Sequence, residues 1–166
     1  LMDAGQDLGL RLIGGEALNA LRIEKGFAHW GHDMSYTESP HQVGMNFTCK
    51  PNKGTDFVGR DAYLARKAEG GGPVLCSVRL HDPAPLIYHN EPVKRDGKIV
   101  GYITSGAHSR AFGAAVGLCF IDLATGETID TDIGSGSYTV VVEGREYAAD
   151  VSLSAFYDPT NARMLA

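Results

Sequence analysis

From Val74 onward, short apolar-rich runs are cut at close intervals by Gly, Asp and Pro, the pattern of strands joined by tight turns. Val74 to Leu80 (VLCSVRL) and Ala114 to Ile121 (AAVGLCFI) read as strands. Pro92 to Gly106 reads as two β-rich arms about Asp96-Gly97, a pair suited to the positive φ that both central residues of a type I′ turn require. Tyr138 to Leu153 predicts a second hairpin with its turn at Glu143 to Arg145. About six antiparallel strands in ~80 residues predict a small closed barrel or Greek-key sandwich, since closure is how such sheets dispose of their edges. Ile133 to Ser137 (IGSGS) lacks the Lys and the following helix of a phosphate loop and reads as a turn.

The first half mixes helical and strand signals. Gly14 to Leu21 brings Ala17, Leu18 and Leu21 to one helical face, which predicts a short helix packed on a sheet. A second helix is expected over Arg60 to Glu69, entered by a turn at Asp56 to Gly59, with Asp61 in its first turn and Gly70 as its C-cap. The run Gly70 to Pro73 (GGGP) marks a boundary, giving units at 1–72 and 73–166. The expected class is α+β, a truncated α/β unit followed by a small antiparallel Greek-key barrel. Two helices and a few strands cannot cover both faces of a sheet, so an upstream partner is expected for the first unit.

Composition narrows the function classes. The 166 residues carry 15 basic and 20 acidic side chains, a net charge of -5, with no clustering of Lys and Arg of the kind a duplex-binding surface needs. Nucleic acid is not an expected partner, and no apolar run approaches the ~20 residues that span a bilayer. Cys49, Cys76 and Cys119 are far apart and outside any Cys-x-x-Cys spacing, so they read as reduced thiols and not as a zinc or disulfide framework.

The densest run of functional side chains is Leu21 to Asp33 (LRIEKGFAHWGHD). His29, His32 and Asp33 lack a further well-spaced ligand and a helical frame, which argues against a metal site. Arg22 and Glu24 alternate with Leu21 and Ile23, which fits a solvated face or a structural ion pair. An Arg beside an aromatic such as Trp30 is also how a planar anionic ligand is held, and residue type alone leaves the two readings even. Ile103 to Gly113 (ITSGAHSRAFG), with His108 and Arg110 at its centre, reads as a polar loop whose amides offer an alternative anion cradle. No Gly-x-Ser-x-Gly elbow supports a nucleophilic hydrolase.

Taken in order, ALNALRIEKGFAHWGHD, TESP (Thr37 to Pro40), DFVGRDAYL (Asp56 to Leu64) and ITSG (Ile103 to Gly106) resemble the glycine cleavage T-protein (aminomethyltransferase) superfamily over most of the chain. Trp30 in the aromatic position and the form LRIEK look most like the folate-binding module of the dimethylglycine and sarcosine dehydrogenases. The resemblance implies a parent enzyme in which an N-terminal FAD domain oxidises a small methylated amine and the resulting one-carbon unit passes to tetrahydrofolate. It implies Arg22 as the principal folate-binding residue, pairing with a folate carboxylate, with Glu24 and Trp30 beside it. The family's catalytic Asp and its pterin-gripping Tyr and Glu lie upstream of the matched portion, so no catalytic residue is expected here and the chain alone is expected to be inactive. No Gly-x-Gly-x-x-Gly fingerprint is present, so FAD is assigned to upstream domains of the same polypeptide. The expected location is the bacterial cytoplasm or the mitochondrial matrix.

Gly71, Gly72 and Pro73 replace a basic residue that relatives often carry before the first barrel strand, and the tail FYDPTNARMLA is similar to dehydrogenase tails, as for truncation from the N-terminal side. Two alternatives stay open. One is a glycine cleavage aminomethyltransferase, working with a lipoyl carrier protein and no flavin. The other is a non-catalytic folate-binding regulator or interaction module, against which Phe27 stands where that branch's signature has Cys.

Overall fold

A computed structural model describes residues 1–124, 126, 127 and 133–165. Helices α1 (Met2–Gly5), α2 (Gly15–Glu24) and α3 (Arg60–Glu69) precede strands β1 (Gly72–Leu80), β2 (Pro92–Arg95), β3 (Lys98–Ser109), β4 (Ala114–Leu123), β5 (Tyr138–Val142) and β6 (Arg145–Ser152). The strands close into an antiparallel barrel in the order β1-β4-β3-β2-β5-β6, with β6 pairing back onto β1. The stretch β1-β4-β3-β2 is a Greek key, because the hairpin-linked β2, β3 and β4 leave β1 to return beside β4.

The two hairpins turn where the sequence places them. Asp96 and Gly97 take φ of 52° and 80°, and Glu143 and Gly144 take 49° and 79°, the left-handed pairs of a type I′ turn. Period-two alternation puts Val74, Cys76, Val78 and Leu80 of β1 into the core with Ile103, Cys119, Ile121 and Val140. Strand β4 is buried at nearly every position, which is why it reads as a continuous apolar run: its outer face lies under α2.

Three expectations change. The face of α2 expected to pack, Ala17, Leu18 and Leu21, points to solvent, and the helix instead lies on β3 and β4 with Ile23 and Glu24 buried. No strand forms among the described residues before Gly72, where the pairing is a single isolated bridge between Trp30 and Met34. Residues 103–109, read as a polar loop, extend β3. Ile103 pairs with Cys119, Gly106 with Gly117 and His108 with Ala115, so their backbone groups serve the ladder and are not free to cradle an anion. A sheet buried on one face with polar groups on the other carries the same small hydroxyl residues as a loop, which is why composition misread it.

Contacts away from the seam between α2 and β3 also tie the first segment to the barrel and the tail. Leu75 N donates to Gln42 O at 2.8 Å. Lys25 Nζ reaches Asp158 O and Asn161 Oδ1, each at 2.7 Å, which pins the C-terminal tail against the end of α2.

Candidate functional site

The cleft between α2, the turn that follows it, β3 and the loop from β1 to β2 has a volume of about 640 Å³. Its construction begins with Asp33. This carboxylate is fully buried, a costly position that it keeps because both oxygens are engaged. Oδ1 accepts from Thr104 Oγ1 at 2.5 Å, and Oδ2 accepts from the His29 backbone N–H at 2.8 Å and from Arg22 Nη1.

Arg22, in the last turn of α2, is thereby locked. Its Nε donates to Asn19 Oδ1 at 2.9 Å, Nη1 donates to Phe27 O at 3.3 Å as well as to Asp33, and Nη2 donates to Ser105 Oγ at 2.8 Å. Of the five N–H groups of a guanidinium, one on Nη2 is left over. Arg22 therefore stands in the cleft wall with its charge already met by Asp33, and a free bidentate fork for a ligand carboxylate is not open.

The other wall is the loop ahead of β2. Ile87 plugs into the barrel with no exposed surface and Gly106 of β3 makes room for it: a Cβ at Gly106 would lie 2.2 Å from Ile87 O. On either side of this plug, Leu86, Tyr88 and His89 line the cleft. The ring of His89 is set by a bond between Nδ1 and Thr104 O at 2.7 Å, so Thr104 anchors Asp33 through its hydroxyl and His89 through its carbonyl.

Among the residues expected to bind a ligand, the structure places Arg22 in the cleft wall and the other two elsewhere. Glu24 is buried beneath α2, where its Oε1 accepts from Ser109 Oγ at 2.5 Å. Trp30 is 63% exposed and does not line the cleft. Both oxygens of Asp33 are committed, so His29, His32 and Asp33 do not form a ligand set, and no metal-binding group occurs among the described residues. The residues that sequence reasoning missed are Tyr88 and His89, while Thr104 and Ser105 fall within the run Ile103 to Gly113, which reads in the sequence as part of a polar loop. They come from segments far from Arg22 in the chain, and no local spacing announces them.

Comparison with known proteins fits this arrangement. The family model described as the glycine cleavage T-protein C-terminal barrel domain matches residues 74–158, and the model of the GCVT N-terminal domain matches residues 1–53.

The chain belongs to the glycine cleavage T-protein family.

Among its relatives, 4-methylaminobutanoate oxidase (formaldehyde-forming) of Paenarthrobacter nicotinovorans is 40% identical over 99% of this chain. Mitochondrial sarcosine dehydrogenase of Homo sapiens is 31% identical over 99% of it. The mitochondrial pyruvate dehydrogenase phosphatase regulatory subunit of Mus musculus is 34% identical over 92%. The chain spans only 19%, 18% and 19% of these proteins, respectively. The crystal structure of the glycine cleavage system aminomethyltransferase T of Bartonella henselae superposes with a TM-score of 0.77 at 18% identity, covering 93% of this chain and 42% of that one, which shows the shared fold. Within the T-protein family this chain thus contributes the barrel and the segment that packs on it. No helix among the described residues is long and apolar enough to cross a membrane.

Proposed function

We propose that this chain is the tetrahydrofolate-binding C-terminal portion of a flavin-linked enzyme that oxidises a small N-methylated amine and passes the one-carbon unit to tetrahydrofolate. The observation that carries the reading is the 40% identity, along almost the whole chain, to an enzyme named for oxidising an N-methylated amino acid. The cleft supports the folate part of the proposal. Its volume of about 640 Å³ suits an extended ligand, and its wall offers nitrogen donors from Arg22, Asn19 and histidines to the carboxylate end of such a ligand. Folate supplies the nucleophilic nitrogens that accept the one-carbon unit.

In this reading the chain's own residues hold and shield. Arg22, fixed by Asp33 and Ser105, presents its remaining N–H to the ligand, and the loop carried by Ile87 covers the other side. A reactive one-carbon unit is captured where water and bystander amines are kept out. FAD does not fit these residues, since no strand for a βαβ unit forms among the described residues before Gly72, and we assign the flavin to a part of the parent enzyme outside this chain. The exposed apolar side chains of Leu18, Leu21, Phe27 and Trp30 offer that upstream part a seat. We place the parent enzyme in the bacterial cytoplasm or the mitochondrial matrix, in keeping with a bacterial oxidase and a sarcosine dehydrogenase named as mitochondrial among the proteins to which the chain is similar.

A regulatory role is favoured by the 34% identity to a phosphatase regulatory subunit, and it differs in requiring no turnover. A plain aminomethyltransferase shares the fold but needs no flavin. Titration of tetrahydrofolate into the natural polypeptide that carries this sequence tests the folate reading. Arg22→Ala is expected to weaken binding by about 2 kcal/mol, the scale of a charge-assisted contact. Unchanged affinity in a folded variant removes Arg22 from the ligand site.

A further inference from the structure

The turn that ends α2 is shared between the cleft and the C-terminal tail. Phe27 N donates to Arg22 O at 2.8 Å and Gly26 N to Ile23 O at 2.9 Å, with Gly26 at φ 69°, the bonding of a Schellman turn. Lys25 thus caps the helix three residues after Arg22, and two residues beyond Phe27 the His29 N–H holds Asp33. Any shift of this turn moves the backbone that carries Arg22 and one of the bonds that fix Asp33.

The tail holds that turn through the Lys25 ammonium. Nζ donates to Asp158 O and Asn161 Oδ1, each at 2.7 Å, and to Asp158 Oδ2 at 3.3 Å, which uses its three N–H groups. The Lys25 side chain keeps 12% exposure and that of Asp158 6%. The tail is shaped to present these acceptors: Asp158 and Asn161 take φ of 46° and 58°, a left-handed conformation these residue types tolerate, and Arg163 N donates to Asp158 Oδ1 at 3.2 Å. Two more contacts seat it. The Phe156 ring lies 5.2 Å from the Arg79 guanidinium, and a Cβ on Gly26 would come within 3.3 Å of Ala155 Cβ. Burying an ammonium is costly, and an apolar side chain would seal the same surface at less cost; what three directional bonds add is a fixed position for the turn. The described residues that line the cleft include none of the tail, so its hold on Arg22 is exerted from outside.

We propose that Lys25, Asp158 and Asn161 are positioning residues: through the Lys25 ammonium the tail fixes the turn that aims Arg22 and holds Asp33, and so sets the affinity of the cleft without touching what binds there. The inference rests on the reading of that cleft as a tetrahydrofolate site and adds the residues that tune it.

Lys25→Met keeps the reach of the side chain and removes its donors, and Asp158→Ala with Asn161→Ala removes the side-chain acceptors from the other side. In the natural polypeptide that carries this sequence, hydrogen exchange at the Phe27 and His29 amides is expected to quicken about tenfold in both variants by local opening. Tetrahydrofolate binding, measured by titration, is expected to weaken about tenfold, as for a displaced binding group. Lys25→Arg, which keeps charge and donors, should restore most of both. Val140→Ala loosens the core at β5, does not line the cleft, and should leave affinity unchanged, which separates positioning from a general loss of stability. In the Arg22→Ala background Lys25→Met should weaken binding no further, because both changes act through one side chain. Asn161→Ala alone removes one of the three bonds and serves the same comparisons where the larger changes unfold the chain. Exchange at the wild-type rate in a folded variant overturns the proposal. So does quickened exchange with unchanged affinity, a loss that adds in full to that of Arg22→Ala, or an equal loss in Val140→Ala. A wild type that binds no tetrahydrofolate defeats the reading of the cleft, and the exchange rates alone then decide whether the tail holds the turn.

Discussion

Arg22 and Asp33, eleven residues apart, form an ion pair in which Asp33 has no exposed surface and the Arg22 side chain keeps 17%. The pair joins the end of α2 to β3, because Asp33 also holds Thr104 and Arg22 also holds Ser105. Removing the carboxylate charge strands a partly buried guanidinium and weakens the anchor of the Thr104 hydroxyl, which keeps a longer bond to Leu118 O at 3.2 Å. Asp33→Asn is therefore expected to cost about 3 kcal/mol, the lower end for breaking a buried pair, since Arg22 retains some solvent. Urea unfolding at neutral pH measures it, and a loss under about 1 kcal/mol means the pair is not structural.

The loop wall of the cleft depends on a close backbone approach. A methyl group at Gly106 meets Ile87 O at 2.2 Å and Ile87 C at 2.4 Å, and backbone cannot swing aside as a side chain does. Gly106→Ala is expected to lift the loop and cost about 3 kcal/mol by overpacking. Ile87→Ala is expected to cost a similar amount, about 3 kcal/mol, by leaving a cavity. Thermal unfolding of both variants checks the pair of effects, and a neutral Gly106→Ala would mean the loop is not held there.

Thiol reactivity separates the three cysteines. Burial pushes the Cys76 thiol up to about 12 and Cys119 well above its usual range, while Cys49 is half-buried outside the barrel. Iodoacetamide at mildly alkaline pH is expected to label Cys49 alone in the folded chain and all three cysteines in denaturant, as counted by mass spectrometry. Labelling of Cys76 or Cys119 in the folded state would mean that the barrel opens readily.

His41 gives stability a pH dependence of known sign. It is buried beside Tyr63, its ring accepts or donates to Ser39 Oγ at 2.9 Å, and burial, followed by repulsion from Lys67 and Arg66, lowers its pKa below 6.5. The unfolded chain then takes the proton more readily, so the stability that His41 contributes is complete above the ordinary imidazole range and is lost as pH falls through the lowered folded value. Between about pH 7 and about pH 5 the wild type should lose stability faster than His41→Gln. Equal slopes in urea unfolding over that range would remove His41 as the cause.

The barrel was legible because its signals are local. Asp96-Gly97, a pair suited to positive φ, and the turn at Glu143 to Arg145 set the hairpins, and alternation along β1 set the core face. Helix α3 was legible from its punctuation, with Gly59 and Gly70 at its ends. The face of α2 was not, because Leu18 and Leu21 look like core residues until the rest of the structure leaves them exposed. The site was half legible. Arg22 stood out by its neighbours, but its partner Ser105 lies 83 residues away and His89 is placed by a loop whose fit depends on Gly106, so no spacing in the chain could bring them together.

The central claim concerns the fate of one carbon atom. The natural polypeptide that carries this sequence can be given sarcosine, dimethylglycine or 4-methylaminobutanoate labelled with carbon-13 in the N-methyl group, with and without tetrahydrofolate, and the label followed by nuclear magnetic resonance. The account predicts that tetrahydrofolate collects the label as its methylene derivative and that Arg22→Ala diverts it to free formaldehyde. Turnover of none of the amines, or label that goes to free formaldehyde in the wild type whether or not tetrahydrofolate is present, would contradict it.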